Sequence, residues 1–166
     1  EVARVNAEPP EREYEPLTPA ALTEVIGARL DRLPASARQV LQAAAILEPD
    51  FDFATLRRVS GRGEEETLDA VDVLLAAGVF VENGARYAFA HPLVAQVVRD
   101  ALSSARRAFV SHRAAEALEL TPAARLPLIA GRLARLYADA GEPKRAAHYF
   151  ELAAERALAL AATDEA

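Results

Sequence analysis

The chain has 166 residues, 52% of them hydrophobic, no cysteine and a net charge of −6. That is enough apolar material for a core, which excludes a disordered chain, and the absence of thiols excludes disulfides and thiolate metal sites. The acidic balance weighs against a protein that grips phosphate backbones. Alanine dominates, and Lys144 is the only lysine beside a large set of arginines. Both alanine and arginine favour helix, so the expected class is mainly α.

Residues 1–17, EVARVNAEPPEREYEPL, are rich in Pro and Glu and show no periodicity, and they read as a linker. Thr18 and Pro19 offer an N-cap with proline at the first helical position. Leu22, Val25, Ile26, Leu30 and Leu33 follow at helical spacing up to Pro34. Ser36 is expected to cap a second helix carrying Val40, Leu41, Ala44 and Leu47, ending near Pro49. A short helix is predicted around Phe53–Val59, closed by Gly61. The next, Glu64–Ala77, places three acids in its first turn and buries Leu68, Val71, Leu74 and Leu75, with Gly78 after its end.

The period then changes. Val79–Glu82, the dipeptide Asn83-Gly84, and Ala85–Phe89 read as a tight hairpin. Helix resumes at Pro92 with Leu93, Val94, Val97, Val98, Ala101 and Leu102, and another runs from about Ala105 to Leu120. Three helices, a fourth beside them and a β-hairpin is the order of a winged helix, assigned here to residues 18–120.

Residues 121–166 form the last segment, in which 127–162 read as two antiparallel helices joined at Asp139–Pro143. Small and large apolar residues at Ala130, Leu133, Ala134, Tyr137, Ala146, Phe150 and Ala153 fit the register of a tetratricopeptide repeat. Ala130 stands where that pattern has tryptophan. A generic alanine-rich hairpin also satisfies several of these positions. One repeat cannot bury its own face, so a truncated array is expected, with further repeats beyond Ala166. The start at Glu1 and the lack of methionine likewise read as an excised piece of a longer protein.

Catalytic chemistry is not visible. A phosphate-binding loop needs glycine-rich backbone followed by Lys and Ser/Thr, and Lys144 precedes Arg145. His91, His112 and His148 are too far apart in sequence for metal-ligand spacing. Ser103 and Ser104 read as helix caps. The longest apolar run, Val73–Val81, is too short to span a bilayer. The expectation is therefore no enzyme, no catalytic or metal-ligating residue, and no membrane, in a cytoplasmic setting.

Winged helices often read DNA, but the Glu64–Ala77 helix carries Glu64, Glu65, Glu66, Asp69 and Asp72 and no base. From Thr18 to Leu118 there are 11 basic and 13 acidic residues, a net of −2. No DNA-binding residue is assigned.

The run LTEVIGARLDRLPASARQVLQAAAIL, the hairpin, FAHPLVAQVVRDAL and RRAFVSHRAAEALE resemble, in that order, the region after the nucleotide-binding module of STAND-class signal-transduction ATPases, including bacterial transcription regulators related to the maltose-regulon activator. The resemblance covers about residues 17–162, and Phe-x-His-Pro-Leu after the hairpin is its most specific piece. It implies a non-catalytic regulatory arm. Its winged helix would close on an ADP-bound NTPase module lying upstream in cis, and its repeats would relay a protein or small-molecule inducer. ADP or ATP would be bound by the missing module of the parent protein, with no cofactor in this chain. The resemblance assigns His91 as the histidine reaching that nucleotide. Plant relatives carry Asp directly after this histidine; here it is Pro92, so no role passes to that position. His112 is one residue out of place for a related histidine and receives none. The residues themselves leave open that His91 caps its helix or packs on Phe89. The alternatives are a DNA-binding winged-helix transcription factor and a helical-repeat scaffold for protein–protein interaction.

Overall fold

Residues Ala35–Leu47 form α2, in which Ala37, Val40, Leu41, Ala43, Ala44, Ala45, Ile46 and Leu47 are all buried. With apolar side chains round most of its circumference, and only Arg38, Gln39 and Gln42 as a polar strip, so short a helix must be enclosed by neighbours. A computed structural model, describing residues 19–164, shows that enclosure: α2 packs against α3, α4, α5, α6 and β1. Alanines let those neighbours approach closely, and the longer Val40, Leu41 and Leu47 fill the gaps between them.

The chain order is α1 (Pro19–Leu30), α2, β1 (Asp50–Asp52), α3 (Phe53–Ser60), α4 (Glu64–Ala76), β2 (Phe80–Asn83), β3 (Arg86–Phe89), α5 (Pro92–Asp100), α6 (Ser104–Glu119), a 3-10 turn (Ala123–Arg125), α7 (Leu126–Asp139) and α8 (Pro143–Asp164). The fold is mainly helical with one three-stranded antiparallel sheet in the order β1-β3-β2. The predicted linker 1–17 and the Thr18 cap lie outside the described residues.

Several expectations shift. Ser36 does not cap α2; Pro34 holds the N-cap position and supplies no side-chain bond. Proline fixes the backbone angle there instead, and Ser36 falls inside the first turn. In α1, Leu22 and Val25 are exposed, because only the C-terminal half of that helix, with Ile26 and Leu30, meets the core. In α4 the buried stripe is Thr67, Ala70, Val71 and Leu74, one residue round from the predicted Leu68, which is 48% exposed. Thr67 can be buried because its hydroxyl donates to the Gly63 carbonyl at 2.7 Å.

The hairpin exists, but its turn is displaced. Asn83 pairs with Arg86, so Asn83 ends β2 and the two-residue loop is Gly84-Ala85. Gly84 has φ 61° and no non-glycine residue has positive φ, which fits a II′ turn with glycine first rather than the I′ turn that Asn-Gly signals. This register sets Phe80 opposite Phe89. The unpredicted strand β1 adds Phe51, and the three rings meet edge to face at 5.3, 6.5 and 5.2 Å beneath the sheet.

The helical hairpin α7–α8 buries Ala130, Leu133, Ala134, Tyr137 and Ala146 as expected. Phe150 is 49% exposed, however, and Tyr149 is the buried aromatic of α8. From Ala146, Tyr149 and Ala153 follow the face turned to α7, whereas Phe150 falls on its flank.

Two glycines separate packing from backbone geometry. At Gly131, inside α7, an added Cβ would lie 3.9 Å from the Ala153 Cβ, an ordinary contact. Gly131→Ala should therefore stabilise the protein by about 0.5–1 kcal/mol in urea unfolding, the helix-interior cost of glycine. Gly61, the C-cap of α3 with φ 72°, would drive a Cβ into the Arg113 guanidinium, which donates to the Arg58 carbonyl. Gly61→Ala should destabilise by about 1–2 kcal/mol in the same assay.

Candidate functional site

The junction from β3 to α5 positions His91. Phe89 ends the strand facing the core, and the chain turns through Ala90, whose N–H bonds to the Val79 carbonyl at 2.9 Å. His91 then takes the N-cap position of α5 in extended backbone (φ −138°, ψ 124°), with Pro92 opening the helix. Its carbonyl accepts from the Val94 N–H at 3.0 Å, as an N-cap carbonyl should.

The imidazole does something different from either structural role foreseen for it. It makes no capping hydrogen bond, and it is exposed while Phe89 is buried against Phe51 and Phe80. Among the described residues no side chain pairs with it. The ring therefore stands ready to donate, beside the positive end of a nine-residue helix.

The other histidines have separate neighbours. His112, on α6, sits between two carboxylates: Nδ1 lies 2.5 Å from Glu142 and Nε2 lies 3.3 Å from Glu116. His148 is exposed on α8 and meets the Tyr149 ring edge-on at 5.1 Å. Among the described residues no group of three His, Asp or Glu could share a metal ion. The Ser103 hydroxyl accepts from the Arg106 N–H at 3.3 Å and caps α6. Among the described residues no helix is long and apolar enough to cross a membrane.

The surface of α4 carries five exposed carboxylates, Glu64, Glu65, Glu66, Asp69 and Asp72. Two are tied to nearby arginines, Glu64 to Arg57 at 2.8 Å and Glu66 to Arg62 at 3.2 Å. Glu66 also accepts from the Gly63 N–H at 3.3 Å, which secures the start of the helix.

A polar node joins α6 to the α7–α8 hairpin, and no motif announced it. Glu119 accepts from the Tyr149 hydroxyl at 2.6 Å and from Arg145 at 2.6 Å. The Arg145 guanidinium lies 4.1 Å over the Tyr137 ring, which stacks on Tyr149 with centroids 5.7 Å apart. Burial works to raise the Glu119 carboxyl, but the Tyr149 hydrogen bond, the nearby Tyr137 hydroxyl and the Arg145 charge outweigh it and hold the group below its ordinary value. Burial and the same carboxylate push the Tyr149 hydroxyl up to about 12. The Tyr137 hydroxyl is raised for the same reasons. It feels Glu119 electrostatically, yet it is buried without a hydrogen bond of ordinary geometry.

Sequence reading also missed a cleft between the end of α2 and the α7–α8 hairpin, with a volume of about 650 Å³ and four arginines in its wall. The available signal was Arg132 and Arg135 one turn apart, in an otherwise acidic chain.

Because the Glu119 carboxyl is depressed in the folded state, the stability it contributes is complete above the unfolded value of 4.5 and is lost as the pH falls below it. Tyr149→Phe should cost about 1 kcal/mol at pH 7, the worth of a charged hydrogen bond discounted for partial exposure. In urea titrations at pH 7 and pH 3 it should also shrink the loss of stability on acidification. Compared with known proteins, the chain matches no family signature, no curated protein and no solved structure.

Proposed function

We propose that this chain is the non-catalytic regulatory arm of a STAND-class signal-transduction ATPase: a winged helix that closes on an ADP-bound NTPase module, followed by helical repeats that relay an inducer. The succession α2-β1-α3-α4-β2-β3, with strand order β1-β3-β2, supports the winged-helix reading. It makes α4 the helix that would enter a DNA groove, and five exposed carboxylates there would be repelled by phosphate. The α7–α8 hairpin supports the repeat reading, since exposed Phe150 and Leu158, about two turns apart on α8, offer an apolar face of the kind that stacked repeats cover.

The observation that carries the proposal is the state of His91. It is an exposed imidazole at a helix N-terminus, released from capping and packing. Such a ring can donate to a diphosphate oxygen, with charge-assisted strength when protonated. The bound nucleotide would supply the anion, and His91 would hold the arm against it. An inducer that binds the open form better than the closed form would release the contact. A cytoplasmic setting follows from this role.

His91→Ala separates this role from a structural one. The substitution should leave the unfolding free energy within about 0.5 kcal/mol of the parent, as expected of a surface site without partners. In the full-length gene product it should lower the ADP that copurifies and raise activity without inducer. Equal ADP retention and equal activity would remove His91 from the mechanism. A shifted DNA duplex at low salt would favour the transcription-factor alternative.

A further inference from the structure

The cleft beside α7 is lined by more positive than negative charge. Four arginines, Arg99, Arg132, Arg135 and Arg156, line it, with Glu48 and Asp139 as the carboxylates. Arg99 is already spent: it donates to Glu48 and to the Ala45 carbonyl, at 3.0 Å for the latter. Among the described residues, Arg132, Arg135, Arg156 and Asp139 make no ion pair. Among the lining residues three cations therefore face one carboxylate, a local excess of two positive charges in a chain whose net charge is −6.

Arg132 is the most telling of them. Its Nε and one terminal nitrogen are buried and have no hydrogen-bond partner. The residue as a whole is half-buried, but native proteins rarely leave two buried guanidinium nitrogens without an acceptor. The carboxylate that acts on it from outside the cleft is Asp50, which shares Arg86 with Asp52 and makes no hydrogen bond to Arg132. Burial pulls the Arg132 guanidinium below its ordinary value. Asp50 opposes that shift and the Arg86 charge adds to it.

We propose that this cleft binds the phosphate group of a small molecule as a dianion. Two observations fix the class. The unbalanced charge of two matches a phosphate monoester near neutral pH, whereas a lone carboxylate would leave one cation unmet. The planar guanidinium forks suit the paired oxygens of a phosphate. The cavity, about 650 Å³, is much larger than a phosphate and includes apolar wall at Leu128 and Leu136, which leaves room for the body of a metabolite. The walls belong to Glu48 and α5 on one side and to α7 and α8 on the other, so a bound anion joins the two parts of the chain. His91 is not among the lining residues, and the site stands independently of the nucleotide role proposed for it.

The test is calorimetric titration of the chain at low ionic strength, in a buffer free of phosphate, with inorganic phosphate and with glucose 6-phosphate as probes. Saturable binding of at least one is expected, weakened tenfold or more in Arg132→Met and several-fold in Arg156→Gln, and unchanged in Arg57→Gln on the far surface. Tighter binding of the ester assigns the site to a phosphorylated metabolite, and equal binding assigns it to the free ion. Arg132→Met should keep or raise the melting temperature of the unliganded protein, since it removes two buried nitrogens without acceptors while keeping the apolar stem. Failure of both probes to bind, or binding undiminished in both cleft variants, would overturn the proposal.

Discussion

The enclosure of α2 is the constraint from which the rest follows. Eight of its side chains between Ala37 and Leu47 are buried, only Arg38, Gln39 and Gln42 form a strip toward solvent, and five elements reach it. Because four of those buried residues are alanine, the neighbouring backbones come close, and a larger side chain at Ala43, Ala44 or Ala45 would have no space to occupy. The strand that follows α2 carries Phe51 directly under the sheet, so one continuous segment supplies both the central helix and the centre of the aromatic cluster. The hairpin is thereby fixed from below, and with it the backbone that delivers His91 to the start of α5.

The second half of the chain is attached through different chemistry. Apolar packing between α6 and α7 is supplemented by the Glu119–Arg145–Tyr149 node and by His112 against Glu142. Hydrogen bonds are directional where apolar contacts are not, so these groups set the rotation of the hairpin about α6 as well as its distance. The cleft lies along that same attachment. An anion held by Arg132, Arg135 and Arg156 on the hairpin would be adjacent to the Arg99–Glu48 pair of the first half, which gives a ligand a physical route to the angle between them.

Helix existence was legible in the sequence wherever caps and periodicity agreed: Gly61, Gly78 and Pro92 mark real boundaries. Faces were less legible. Leu68 lost its place in the core to Thr67 because a local hydroxyl-to-carbonyl bond removed the penalty for burying threonine, and hydropathy alone does not register that bond. The Asn83-Gly84 dipeptide identified the hairpin but misplaced its turn, since the pairing of Phe80 with Phe89 over Phe51 decides the register. Strand β1 was missed because DFD is too short to show alternation. At the candidate site, the helix-cap position of His91 was readable, whereas its freedom from partners was not. The arginine cleft escaped notice because its members come from α5, α7 and α8, and only folding brings them together.

The unequal burial of α1 also sets an order of events. Its first half shows Leu22 and Val25 to solvent, while Ile26 and Leu30 anchor the second half and Arg29 reaches the Ala77 carbonyl. Amide protons in the more exposed half should exchange at less free-energy expense than those beside Ile26 and Leu30. Those of α2 are released only when the whole core opens. The chain thus has a gradient of protection running from its outer helix inward, and a force applied along α1 would peel that helix before it disturbed the scaffold beneath.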